Sequence, residues 1–189
     1  MPAGESYLPL TDGSSWVYSY SSDGGSTDTL TLRMTGGTTV INSKTYYNIS
    51  STYKEGTSMG YFYVGDHTYA TRTIDGSTGS SIEIQLLNDT APVGYTWTTI
   101  PTESGQIGGV PARTVNTIME KNITRRLNGK TFSNVIHTQV QLQYNFGADY
   151  QTSVIYDFYL ARGIGMIEDD ANTLDTFYET ETLFDYSIK

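Results

Sequence analysis

Cysteine is absent from the 189 residues, so disulfides, thiolate catalysis and Cys-ligated zinc or iron are excluded at the outset. Cationic side chains are few. Eleven Lys and Arg stand against 20 Asp and Glu, a formal net charge of -9. Such a surface repels phosphate backbones and argues against nucleic acid as a partner. No stretch approaches the run of about 18 apolar residues that a membrane-spanning helix needs. Charged residues of both signs make up only 16% of the chain, too few for a disordered acidic tail. Alanine and leucine, which favour helices, are also scarce. The 37% hydrophobic fraction suits one globular domain over 1–189. A chain of this size hides about 70% of its extended surface on folding, which builds one core without staples.

In place of helix formers the chain holds 29 Thr, 18 Ser, 16 Tyr and 19 Gly. β-Branched and aromatic side chains pack well across a pleated, half-buried surface. Alternation agrees. From Ile136 to Phe146 the even positions are mostly apolar and the odd ones polar, a strand with one dry and one wet face. Val154, Tyr156, Phe158 and Leu160 repeat the pattern, and Asn145–Tyr150 is the turn between the two strands. Trp16, Tyr18 and Tyr20 share a parity, as do Leu30, Leu32 and Met34, and Ile82, Ile84 and Leu86. Asp23-Gly24-Gly25, Gly36-Gly37, Asn42-Ser43, Gly65-Asp66, Asp75-Gly76 and Asn128-Gly129 supply turn chemistry. Pro101–Pro111 reads as a long loop. The only helix expected is a short one near Glu168–Leu174. The fold class is all-β, a strongly curved antiparallel sheet closing toward a half-barrel or barrel.

The chain looks internally duplicated. Residues Ile41–Ile49 (INSKTYYNI) read against Leu127–Val135 (LNGKTFSNV), with only Tyr47 against Ser133 dissimilar. Gly13–Trp16 reads against Gly94–Trp97, and Phe62-Tyr63-Val64 against Phe158-Tyr159-Leu160, in the same order. The two similar halves would be 9–90 and 91–189.

Leu8-Pro9-Leu10 with Gly13–Tyr18, the hairpin Asn128–Ile136 and the run Phe158–Ile167 with its Gly163-Ile164-Gly165 turn carry a family resemblance. Together they make the chain resemble exported lipoproteins of Bacteroidetes-type bacteria, largely uncharacterised. The resemblance implies a domain preceded by a signal peptide and a lipid-bearing cysteine, with Met1-Pro2-Ala3 reading as a start in their place. It implies a periplasmic or outer-membrane address. Some such domains are similar in architecture to the curved half-barrels of lipoprotein carriers. No catalytic residue comes with it.

The chemical motifs have plainer readings. Gly56–Gly60 matches a nucleophile elbow at Ser58, but that chemistry needs a strand–turn–helix, and Tyr61–Val64 reads as a strand; the expectation is a Gly-rich hairpin loop. Ser51-x-x-Lys54 would place Ser and Lys on opposite faces of a strand. His67 sits in a turn, and His137 lies on the polar face beside Gln139 and Gln141, both expected to be solvated. Glu168-Asp169-Asp170 with Asp175, Glu179, Glu181 and Asp185 lack calcium-loop spacing and read as a solvated turn and a charged edge strand. No metal, no cofactor and no catalytic residue is assigned, and a hydrolase through Ser58 or a carboxylate pair ranks last.

Aromatic residues carry the functional suggestion, at 13% of the chain. Large rings fill a wide core, or line an open concave face for a lipid-like ligand. Trp16, Tyr18, Tyr61, Tyr63, Trp97 and Tyr159 are the candidates. The reading is a non-enzymatic, exported, envelope-anchored domain that binds a hydrophobic or amphipathic ligand. A carbohydrate-binding module, with a flat exposed row of rings stacking on a glycan, is the alternative, and a structural surface protein is a third.

Overall fold

Alternating β-branched and aromatic positions produce thirteen strands: β1 (Ser15–Ser22), β2 (Thr27–Ile41), β3 (Lys44–Tyr53), β4 (Gly56–Gly65), β5 (Thr68–Ile74), β6 (Ser81–Asn88), β7 (Thr96–Thr99), β8 (Gln106–Ile107), β9 (Val110–Leu127), β10 (Lys130–Asn145), β11 (Tyr150–Ala161), β12 (Gly165–Thr173) and β13 (Phe177–Ser187). This computed structural model describes residues 5–74, 76, 78–174 and 176–189. Met1-Pro2-Ala3, Asp75 of the Asp75-Gly76 turn and Asp175 lie outside the described residues.

The strands form one antiparallel sheet in the order β6-β5-β4-β3-β2-β1-β13-β12-β11-β10-β9-β7, with β8 pairing β9. Two six-strand meanders are thus joined where β1 pairs β13. The sheet curls into a nearly closed barrel. Its free edges approach each other: β6 touches β9 and β10, and the Glu83 N–H donates to the Pro101 carbonyl at 2.8 Å.

Hairpin turns follow their residues. Asn42 and Ser43, and Asn128 and Gly129, have φ between +50° and +77°, the left-handed pair that matches the twist of flanking strands. Trp16 and Trp97 lie on the first strand of each meander, these two turns join the second strand of each meander to the third, and Phe62 and Phe158 sit on the fourth. The three sequence matches therefore occupy corresponding places.

Residues directly opposite across a ladder share a face. One inward row runs Tyr20, Glu181, Asp169, Phe158, Thr138, Ile118. Trp16, Leu32 and Ser51 form another, and Phe62, Thr71 and Ile84 a third. Trp16, Tyr18, Leu30, Met34, Ile136, Leu160 and Leu183 are buried in the core between them. One end of the barrel is stopped by the chain itself. Tyr7 and Leu8 are buried there, Tyr7 edge-on to Tyr69 at 5.9 Å, and the Ser6 carbonyl accepts from the Gly163 N–H at 2.7 Å.

Two expectations are corrected. Glu168–Leu174 is not a helix: residues up to Thr173 belong to β12, laddered to β11 on one side and β13 on the other. Carboxylates are poor strand formers alone, and two flanking ladders override that preference. Gly56–Gly60 is not a loop but the start of β4, with Ser58 opposite Ser51 and the turn at Lys54-Glu55. The expected Pro101–Pro111 loop also contains the two-residue β8 and the start of β9.

Gly165 is required where it stands. Its φ is +112°, and a Cβ there would come within 3.1 Å of the Trp16 indole nitrogen. Gly165→Ala is expected to lower unfolding free energy by about 1–3 kcal/mol, from backbone strain and a displaced indole. Urea denaturation measures it; an unchanged midpoint refutes it.

Candidate functional site

The six aromatic candidates do not converge. Trp16 and Tyr18 are buried in the core, where the Trp16 Nε1–H donates to the Ile164 carbonyl at 2.6 Å and the Tyr18 hydroxyl to the Met166 carbonyl at 2.8 Å. Trp97 is half-buried on β7, stacked on Tyr95 at 5.8 Å. Tyr61, Tyr63 and Tyr159 sit on the opposite, outer face, since Tyr61 pairs with Arg72 and Tyr159 with Glu168, one step out of phase with Phe62 and Phe158. Tyr61 and Tyr63 pack against Tyr46, whose hydroxyl donates to Glu83 and is pushed up to about 12 by burial and that carboxylate.

His137 is a further correction. It is buried, not solvated: its Nδ1 lies 3.2 Å from Glu120 and its Nε2 2.7 Å from Asp157. Its ring stacks on Tyr159 at 4.2 Å, and the Arg125 guanidinium, paired with Glu168, lies 3.6 Å from the Tyr159 centroid. Four strands, β9 to β12, contribute to this polar stack on the outer wall. His67 is exposed as expected and pairs with Asp89 at 2.8 Å.

Space inside the barrel lies elsewhere. A cavity of about 280 Å³ has Leu8, Leu32, Ile49, Phe62, Leu86 and Phe158 in its walls, with Asp169, Glu181 and Tyr53 as polar members. It adjoins an open mouth of about 760 Å³, flanked by Tyr20, Asp28, Lys54, Glu55 and Glu179. Tyr53, Ser58 and Glu181 line both. Asp169 and Glu181 are directly opposite across the β12–β13 ladder, both inward. The Tyr53 hydroxyl donates to Glu181 Oε1 at 2.9 Å, and the Tyr20 hydroxyl to Glu179 Oε2 at 3.0 Å.

The electrostatics of this wall are unusual for carboxylates. Burial, then the charges of Glu181, Asp170, Glu179 and Asp157, holds the Asp169 carboxyl well above its ordinary range. Burial also raises Glu181, although the Tyr53 hydroxyl opposes it. Burial and Glu181 in turn raise the Tyr53 phenol. Asp169 Oδ1 is shut off from solvent and has no hydrogen-bond partner. Among the described residues, no group of three or more Asp, Glu or His is arranged to hold a metal ion. The chemistry on offer is an apolar chamber with a protonatable carboxyl pair at its entrance.

Asp169, Glu181, Tyr53, Tyr20 and Leu8 are the residues that the alternation argument missed as site members. A signal existed. Glu179 and Glu181 share their parity with Leu183, and Asp169 shares its parity with Ile167 and Ala171, so the acidic run points inward wherever those apolar residues do.

No protein-family model matches the sequence, and no curated protein matches it. Solved structures match its shape. A Bacteroides fragilis protein assigned as exported, with a YmcC-like fold, has a TM-score of 0.59 at 10% identity, over 97% of this chain and 99% of that chain. A Parabacteroides distasonis protein assigned as a lipoprotein has a TM-score of 0.54 at 10% identity, again over 97% and 99%. With 97% of this chain and 99% of each of theirs superposed, this chain has the same all-β barrel fold as these Bacteroidetes proteins.

Proposed function

We propose that this protein is an exported, envelope-anchored binding domain that takes an amphipathic molecule into its barrel, apolar part inward. The observation that carries the reading is the cavity between Leu8, Leu32, Ile49, Phe62, Leu86 and Phe158, which shares Tyr53, Ser58 and Glu181 with a polar mouth. Its size lies near the lower end of the roughly 300–1,000 Å³ range of ligand pockets, and the mouth adds room for a polar head. The fold shared with proteins assigned as exported and as a lipoprotein supports the address. The glycan alternative loses its motive, because Trp16 and Tyr18 are buried and the other four rings form no flat row.

The test is uptake of the neutral fluorophore N-phenyl-1-naphthylamine. Emission should rise on adding the protein, and Ser51→Phe, which places a ring in the cavity, should weaken binding by about tenfold or more. Circular dichroism would verify that the variant folds. No uptake by the native chain, or equal uptake by the filled variant, overturns the reading.

A further inference from the structure

The charges around the barrel mouth are mostly negative. Asp28, Glu55, Glu179 and Glu181 stand at its wall against Lys54 alone, and Asp169 lies just inside. Arg72 borders the cavity too, but its guanidinium faces the outer surface, bonded to Ser81 Oγ at 2.8 Å and Glu103 at 3.2 Å. An independent observation marks where a head group would sit. Asp169 Oδ1 is an acceptor without solvent and without a partner, on a residue that lines the cavity. An unfilled buried acceptor calls for a donor supplied from outside the chain.

We propose that the ligand is an amphiphile with a cationic amine head, seated between Asp169 and Glu181, its apolar tail against Leu32, Ile49, Phe62 and Phe158. This rests on the reading of the barrel as an amphiphile-binding domain and adds the charge of the head. The two carboxyl groups are directly opposed, which puts their Cβ atoms about 4.5–5.5 Å apart. An ammonium has three donors and no acceptor, so it satisfies Asp169 Oδ1 and Glu181 together. An anionic head would meet the carboxylates of Asp28, Glu55, Glu179 and Glu181 at the mouth and the Asp169 carboxyl inside it, with Lys54 the one cation among those mouth residues.

The site also couples binding to protons. Without a ligand, burial and the facing Glu181 and Glu179 of β13 raise the Asp169 carboxyl and favour its protonated form, with Asp170 beside it and Asp157 on β11 adding in the same sense. Tyr53 of β3 and Tyr20 of β1 bring neutral hydroxyls to Glu181 and Glu179. A cation placed between the pair reverses the balance, so amine binding releases a proton from Asp169.

The test uses three probes with one tail, decylamine, decanol and decanoate, below their aggregation concentrations, by isothermal titration calorimetry at pH 7. Decylamine should bind about tenfold or more tightly than decanol, and decanoate most weakly. Its enthalpy should differ between phosphate and Tris buffers by an amount that reports proton release. Asp169→Asn, close in shape and uncharged, should remove both the preference and the buffer difference while decanol affinity stays within about twofold. Glu181→Gln should weaken decylamine in the same direction. Equal affinity for decylamine and decanol, or tighter decanoate, overturns the amine head and leaves the amphiphile reading standing. Binding of none of the three overturns both.

Discussion

Replacing Trp16 with alanine is expected to remove about 3–5 kcal/mol of unfolding free energy. The side chain is 1% exposed and fills the barrel between its two meanders. It packs edge-on to Phe62 at 6.3 Å, closes against Gly165, and donates its indole N–H to the Ile164 carbonyl. The substitution therefore opens a cavity beside Phe62 and removes the donor to Ile164. Trp16→Phe keeps most of the apolar volume and should lose less than the alanine variant. Urea denaturation followed by far-ultraviolet circular dichroism measures both. A loss below about 1 kcal/mol for Trp16→Ala would show that the site collapses around the gap, against the packing described for it.

Asp169→Asn is expected to stabilise the barrel, by an amount that grows with pH. The Asp169 carboxyl is raised well above its ordinary range in the folded chain, so folding binds its proton more tightly than the unfolded chain does. Unfolding then releases a proton wherever the pH lies between the unfolded and folded values. Stability falls as pH rises through that window, starting near the ordinary carboxylate range of about 4, with a limiting slope of about 1.4 kcal/mol per pH unit for one group. Glu181, also raised, adds in the same direction. Denaturation midpoints at pH 5, 6, 7 and 8 provide the measurement. The midpoint of the native chain should fall across the series, and that of Asp169→Asn should fall less. Parallel curves would mean that Asp169 ionises alike in both states.

The strands were legible and the face that matters was not. Ile136, Val140 and Leu142 alternate with glutamines, and that period placed them inward, where they are buried. Asn-Gly and Asn-Ser dipeptides located two hairpins because their backbones need φ > 0. His137 reads as solvated in one dimension, because Glu120, Asp157, Tyr159 and Arg125, which enclose it, come from neighbouring strands. The acidic stretch of β12 and β13 failed for a related reason. Carboxylates are seldom found inside a barrel, so Asp169 and Glu181 were placed in solvent despite sharing parity with buried neighbours. Counting rings also misled. Tyr159 and Tyr63 each sit one residue from a cavity-wall or core phenylalanine, and in a strand one residue means the opposite face.

The pairing of β1 with β13 has a consequence for how the chain reaches this state. Every other ladder joins strands that are consecutive in the chain or, for β7 and β9, separated only by the two-residue β8. Each meander can zip up from its own turns, closing short loops one after another at modest entropic cost. The β1–β13 ladder must instead wait for two finished halves to meet, because it brings Ser15 beside Ser187. It is a single late seam of high sequence separation, laid down the middle of the sheet. A barrel built this way combines mostly local contact order with one slow closing event, and that event is also what brings Tyr20 to face Glu181 and completes the mouth.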